Sequence, residues 1–173
     1  MEFEPKKFEG KWQKKWDLDK IYEVSEASER PPAFVADMFP YPSGSSMHVG
    51  HPRGYVATDV YSRFKRMSGF NVLHPMGWDA FGLPAEETAI QNKEYPTVTV
   101  ERNIAKFKSQ LQMLVIGYDW SREINTTDPE YYKHTQRIFL ELFKRGLAFN
   151  NTVPVNWCPG LGTVLANEDI VNG

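Results

Sequence analysis

An α/β fold with parallel strands is what the sequence predicts, on three observations. Between residues 33 and 75 an apolar run, a turn-rich loop, a long helical pattern and a second apolar run succeed one another. That β-loop-α-β order is the one parallel sheets require. Two later segments repeat their apolar residues at helical spacing. Finally, 173 residues with 41% hydrophobic and 24% charged side chains match about one globular domain, which excludes wholesale disorder and fibrous repeats.

Charge and cysteine content narrow the class further. Lys and Arg total 20 against 22 Asp and Glu, a net charge of −2, so no basic surplus announces a nucleic acid. Cys158 is the single cysteine. One thiol makes neither an internal disulfide nor a metal cluster, and a reducing, cytoplasmic setting is the default expectation. The opening Met-Glu-Phe-Glu-Pro-Lys-Lys has no apolar run suited to a signal peptide. Nothing approaches the roughly 18 consecutive apolar residues of a membrane span, so no membrane partner is expected.

The elements follow in order. Pro5 can open a helix whose Phe8, Trp12 and Trp16 recur every four residues and should dock on the core. The polar stretch Ser25 to Arg30 with Pro31-Pro32 reads as a loop. Ala33-Phe34-Val35-Ala36, continuing to Met38-Phe39, is the first strand, and Pro40 to Ser46 is turn-rich. A helix is predicted from about Met47 to Met67, with Val56, Val60, Phe64 and Met67 on one face, stopped by Ser68-Gly69. Asn71 to Pro75 reads as the second strand. Val100, Ile104, Phe107, Leu111 and Leu114 mark one later helix; Tyr131, Ile138, Phe139, Leu142 and Phe143 mark another. The latter has a capping box, Thr127 with Glu130, and a C-terminal Gly146. A last strand spans Thr152 to Trp157. No internal repeat or low-complexity tract is present.

Chemistry concentrates at His48-Val49-Gly50-His51, where the long helix starts after a strand and a loop. A helix N-terminus offers unpaired N–H groups and partial positive charge to an anion. Two imidazoles three residues apart can share a face and donate hydrogen bonds to a phosphate, and Gly50 lets a nucleobase or sugar approach the backbone. The segment then binds a nucleoside triphosphate. Two other readings stay open: the pair ligates a metal, although Cys158, His74 and His134 are remote in sequence, or it only caps the helix.

Met38-Phe39-Pro40-Tyr41-Pro42-Ser43-Gly44, followed by the His-Val-Gly-His segment, resembles the first signature of class I aminoacyl-tRNA synthetases, specifically the leucyl type. Gly77-Trp78-Asp79-Ala80-Phe81-Gly82-Leu83-Pro84-Ala85-Glu86 looks like the family's next landmark; isoleucyl and valyl relatives usually carry His where Phe81 stands. Tyr118 to Glu123, Asn156-Trp157-Cys158-Pro159 and Thr163 to Glu168 are likewise leucyl-like, so the resemblance covers about residues 8 to 173.

The resemblance implies a Rossmann-like, parallel-sheet nucleotide-binding fold, N-terminal half only, with a helical extension over 1–30, the catalytic half-domain over 31–150 and the start of an insertion over 151–173. It implies activation of leucine by ATP, with Mg²⁺, and transfer to tRNA(Leu) in the complete enzyme, whose C-terminal part would be a partner. His48 and His51 would be catalytic; Pro42, His48, Gly50 and His51 would bind ATP; Met38, Phe39 and Tyr41 would line the leucine site, and Asp79 would pair with the α-ammonium. As a bare residue Asp79 could equally be a helix N-cap. No structural metal is expected, since Cys158 has no partner cysteines. Ser45-Ser46 departs from the charged or bulky residues common before the signature. The family's Lys-Met-Ser-Lys-Ser loop is absent from the sequence, Lys65-Arg66-Met67-Ser68 being a decoy at a helix end, so weak activity or none is expected of the chain alone. Alternatives are a small His-x-Gly-His nucleotidyltransferase or a non-catalytic interaction module. A core completed elsewhere should leave apolar surface exposed.

Overall fold

The computed structural model describes residues 4–44 and 46–171; Ser45, noted above, lies outside them. Packing divides the chain into two compact units, one running to Lys133 and one beginning at His134.

In the first unit, Pro5 opens a 3₁₀ turn, Pro5–Lys7, and α1 follows over Glu9–Leu18. Its aromatic stripe docks at the far end. Trp16 is half-buried with its ring edge-on to Tyr22 at 6.3 Å, whereas Phe8 and Trp12 are exposed. Strand β1, Pro32–Phe34, pairs in parallel with β2, Asn71–Leu73, in the register Ala33 to Val72. The Val35 N–H adds one more bond to the Leu73 carbonyl at 2.9 Å. The ladder ends there, short of the predicted Phe39, because Pro75 has no N–H to give and the Asp37 carboxylate takes the Met38 N–H at 2.7 Å. Between the strands runs α2, Gly50–Met67, terminated at Gly69 with φ +88°. It starts three residues later than the pattern suggested.

Helix α2 also corrects the predicted packing. Val56, Val60, Phe64 and Met67 share a face, but that face is exposed. The inward face carries buried Tyr55 and Ser62 with half-buried Asp59, Arg63 and Arg66. These polar groups serve backbone that would otherwise lack partners: Asp59 Oδ1 accepts the Gly117 N–H (2.8 Å), and Arg63 Nη2 donates to the Val115 carbonyl (2.6 Å).

Strand β3, Gly77–Trp78, pairs in parallel with β4, Ile124–Asn125. Helix α3, Leu83–Asn92, starts after Gly82 at φ +111°, and α4 covers Pro96–Met113. In α4 the sequence pattern holds: Val100, Phe107 and Leu111 are buried, Ile104 is half-buried, and Leu114, just past the end, is exposed. Phe107 and Leu111 join Tyr55, Met76, Trp78, Ile116 and Tyr118 in the main core. The α/β class with parallel pairing is therefore the one observed.

Helix α5 spans Pro129–Lys144. Its start is capped by Asp128, whose Oδ1 accepts the Glu130 N–H at 2.9 Å. Thr127, the predicted cap, instead bonds Asn125 Oδ1, because Pro129 fixes the first helical position and leaves the residue before it as cap. Gly146 at φ +70° closes the helix as predicted, with the Leu147 N–H on the Leu142 carbonyl at 3.0 Å. The second unit also holds an antiparallel hairpin, β5 (Asn156–Cys158) with β6 (Thr163–Leu165). The strand thus lies later than Thr152 to Trp157 suggested, and Cys158 on it is half-buried and free. No helix among the described residues is long and apolar enough to cross a membrane.

Candidate active site

The loop from Pro40 to Val49 is held from outside itself. The Asp79 N–H donates to the Pro40 carbonyl (3.1 Å), Asn103 Nδ2 to the Pro42 carbonyl (2.9 Å) and Thr88 Oγ1 to the Ser43 carbonyl (3.0 Å). Gln110 Oε1 accepts the Met47 N–H (3.1 Å). Helix α4 therefore clamps both ends of the loop through Asn103 and Gln110, one face of a helix whose apolar positions alone were read from sequence.

At the loop's exit the two imidazoles touch with centroids 4.0 Å apart and planes tilted by 44°. The Gly50 N–H donates to His48 Nδ1 at 3.1 Å, and the His48 N–H to His51 Nδ1 at 3.3 Å. His51 also meets Tyr55 at 6.3 Å and the edge of Phe107 at 6.1 Å. A Cβ at Gly50 would lie 2.8 Å from His48 Cε1 and 2.9 Å from Nδ1, so the space left by this glycine is filled by the His48 ring. The expectation of free N–H groups at the helix start changes accordingly. Gly50 donates to His48 Nδ1, His51 donates to the His48 carbonyl at 3.1 Å, and Pro52 has no N–H. None of these three positions offers an anion a free amide N–H.

Met38, Phe39, Tyr41 and Asp79 line one cavity of about 860 Å³, together with Arg122, Glu123 and Tyr131. Phe39 packs flat enough on Gly77 that a Cβ there would sit 2.3 Å from its ring. Helix α3 begins beyond Asp79 with Gly82 as its cap, so Asp79 caps nothing. Among the described residues its carboxylate has no hydrogen-bond or ion-pair partner. Arg122 is already paired with Glu26 at 2.6 Å. A second cavity, of about 500 Å³ between α1 and α4, is walled by Trp16, Tyr22 and Trp120 and receives none of the predicted site residues.

The segment after Tyr118 braces the first cavity. Trp78 Nε1 donates to Glu123 Oε1 at 2.8 Å while Lys108 pairs with the other oxygen. Thr126 Oγ1 accepts the Ala80 N–H at 2.9 Å. Buried Asp119 accepts the Val24 N–H (2.9 Å) and the Ser121 N–H (3.1 Å). The sequence showed these residues as a motif, and no periodicity or spacing revealed their bracing role. Beneath the loop, Tyr55 donates to the Met38 carbonyl at 3.3 Å; burial, aided by the Asp37 charge, pushes its phenol up to about 12. Burial likewise lowers the His74 imidazole and raises the Tyr118 phenol, and neither His74 Nε2 nor Tyr118 OH has a hydrogen-bond partner among the described residues.

Residues 11–172 match the family of class I tRNA synthetases (I, L, M and V). The chain belongs to this class I tRNA synthetase family. Among solved structures it is similar to the ternary complex of Agrobacterium radiobacter K84 agnB2 LeuRS, tRNA and LeuAMS, with TM-score 0.88 and 36% identity over 98% of the chain. It also resembles Mycobacterium tuberculosis methionyl-tRNA synthetase in complex with methionyl-adenylate, with TM-score 0.62 and 29% identity over 67% of the chain. In both cases this class I chain spans 22% of the neighbour's length.

Proposed function

We propose that the chain is the N-terminal catalytic part of a leucyl-tRNA synthetase. The carrying observation is that Met38, Phe39, Tyr41 and the unpaired Asp79 line one cavity. Apolar walls with a single uncompensated carboxylate suit an aliphatic α-amino acid: the side chain loses water against the walls and the ammonium meets Asp79. Leucine is favoured over methionine because the leucyl neighbour is matched over more of the chain and at higher identity.

His48 and His51 then act on ATP, with Gly50 and Pro42 shaping the loop beside them. The leucine carboxylate attacks the α-phosphorus, the bond to the bridging oxygen breaks, and pyrophosphate departs. Charge grows on phosphoryl oxygens in that displacement, and imidazole N–H donors stabilise it most where it is greatest. Mg²⁺ arrives on the triphosphate as part of the substrate. In the complete enzyme the leucyl group passes to the end of tRNA(Leu), in a reducing cytoplasmic setting compatible with the single thiol.

Titration of the purified chain with leucyl-adenylate and methionyl-adenylate analogues tests this reading. Binding of the leucyl compound at least about tenfold tighter, weakened at least about tenfold by Asp79→Ala, is expected; one methylene-scale difference in an apolar pocket discriminates by about 10–200-fold. Equal binding of both, or none, overturns it. Leucine-dependent pyrophosphate exchange by the chain alone should be slow or absent, because the Lys-Met-Ser-Lys-Ser lysines are not in this sequence. A rate near that of a full-length relative would refute that expectation.

A further inference from the structure

We propose that the backbone of the His-Val-Gly-His segment holds both of its histidines as Nε2–H tautomers, with Gly50 the positioning residue for His48 and the His48 amide the one for His51. The inference rests on the ATP role proposed above for its purpose, though not for its geometry. An amide N–H donates only to an unprotonated ring nitrogen. The Gly50 N–H points at His48 Nδ1 at 3.1 Å and the His48 N–H at His51 Nδ1 at 3.3 Å. Each neutral ring must therefore carry its proton on Nε2, since the hydrogen bond made by one nitrogen sets the state of the other. Neither Nε2 has a hydrogen-bond partner among the described residues, so both N–H groups are free for a ligand's oxygens.

The glycine contributes twice. Its amide is the donor, and its missing side chain is the seat of the His48 ring, which a Cβ would meet at 2.8 and 2.9 Å. The two bonds act side by side: Gly50 orients His48 and the amide of His48 orients His51, with the two rings in contact at a centroid distance of 4.0 Å and an angle of 44°. Two preset donors need no reorganisation when phosphoryl charge develops, which is where hydrogen-bond catalysis gains most. A ring with its proton on Nδ1 would present a lone pair to the phosphate and repel it.

Long-range imidazole ¹H–¹⁵N correlation spectra of the ¹⁵N-labelled chain, without ligand, read the tautomers directly. His134 is the internal reference, because its ring makes no hydrogen bond among the described residues. His48 and His51 should each show at least about a tenfold larger ratio of Nε2–H to Nδ1–H form than His134. The same ratio in all three rings, or an Nδ1–H form at either signature histidine, overturns the proposal. In Gly50→Ala, with folding verified from its amide spectrum, the His48 ratio should fall to that of His134. An unchanged His48 ratio in the folded variant also overturns it. If Gly50→Ala does not fold, His48→Ala supplies the second arm: the His51 ratio should persist, because its donor is the backbone N–H of residue 48, and a fall to the His134 ratio overturns the proposal. Fixed tautomers without ATP binding would refute the ATP reading alone, and ATP binding with Nδ1–H rings would refute this inference alone.

Discussion

Helices α2 and α4 are each 18 residues long and each carries an apolar stripe, yet they pack in opposite senses. The stripe of α4 faces inward, with Phe107 only 1% exposed. That of α2 faces out, with Val60 62%, Phe64 55% and Met67 82% exposed. Helix α4 meets side chains, Tyr55, Trp78 and Tyr118 among them, and apolar burial decides its orientation. Helix α2 gives that core Tyr55, but its Asp59 and Arg63 meet backbone. The Val115 carbonyl and the Gly117 amide need partners, and Arg63 and Asp59 supply them. An unmade buried hydrogen bond costs about as much as a buried methyl group or two contributes, so satisfying the loop can outweigh hiding the stripe. The expected exposed apolar surface is present in this stripe and in Met38, 83% exposed at the mouth of the cavity.

The comparison breaks most readily at the two phenylalanines. Phe107→Ala should cost about 3–5 kcal/mol of stability, whereas Phe64→Ala should change it by no more than about 0.5 kcal/mol. Urea unfolding of both variants decides; equal losses would mean that the α2 stripe is packed in solution.

Next comes the polar face of α2. Asp59→Ala removes the acceptor of the Gly117 N–H and the partner of Arg63 together, and a loss of about 2 kcal/mol is expected, discounted for the partial exposure of Arg63. A neutral result in the same unfolding assay would show that backbone satisfaction does not orient this helix.

On α4, Asn103→Ala leaves the Pro42 carbonyl unpaired at a buried position and should cost about 1–2 kcal/mol. It should also loosen the loop specifically. Hydrogen exchange should quicken at Met47 and His48 while Leu111 stays protected, and uniform acceleration would refute a clamp.

The smallest effect is a slope with pH. Burial lowers the His74 imidazole in the folded chain, reinforced by Arg66 and opposed by the Gly117 carbonyl, Asp59 and Asp37. The unfolded chain titrates near 6.5. Below about pH 6.5 the unfolded state therefore binds a proton that the folded state refuses, and stability falls until the folded imidazole also protonates. His74→Gln should flatten unfolding midpoints across that window, and an unchanged slope would place the lowered group elsewhere.

Much of the candidate site was legible because its residues are contiguous. Met38 to Tyr41, His48 to His51 and Asp79 lie in short segments whose residue types carry the chemistry. Asn103, Gln110 and Thr88 were not legible. On a helix, a polar residue that clamps a loop looks the same as one facing water, and only the partner distinguishes them. Helix α3 went unread between two stronger signals, and β3 and β4, two residues each, are too short to show a period.

By itself, then, the sequence determined the β-α-β order, the apolar periodicities and the cluster of motif residues, because these are local properties of adjacent side chains. The tertiary structure decided which face of α2 turns inward, that Asp128 rather than Thr127 caps α5, and that Gly50 seats the His48 ring instead of lying open. Each of those depends on groups that meet across the fold or around a turn, where unpaired hydrogen-bonding groups and the space for one Cβ outweigh the average preference of the sequence.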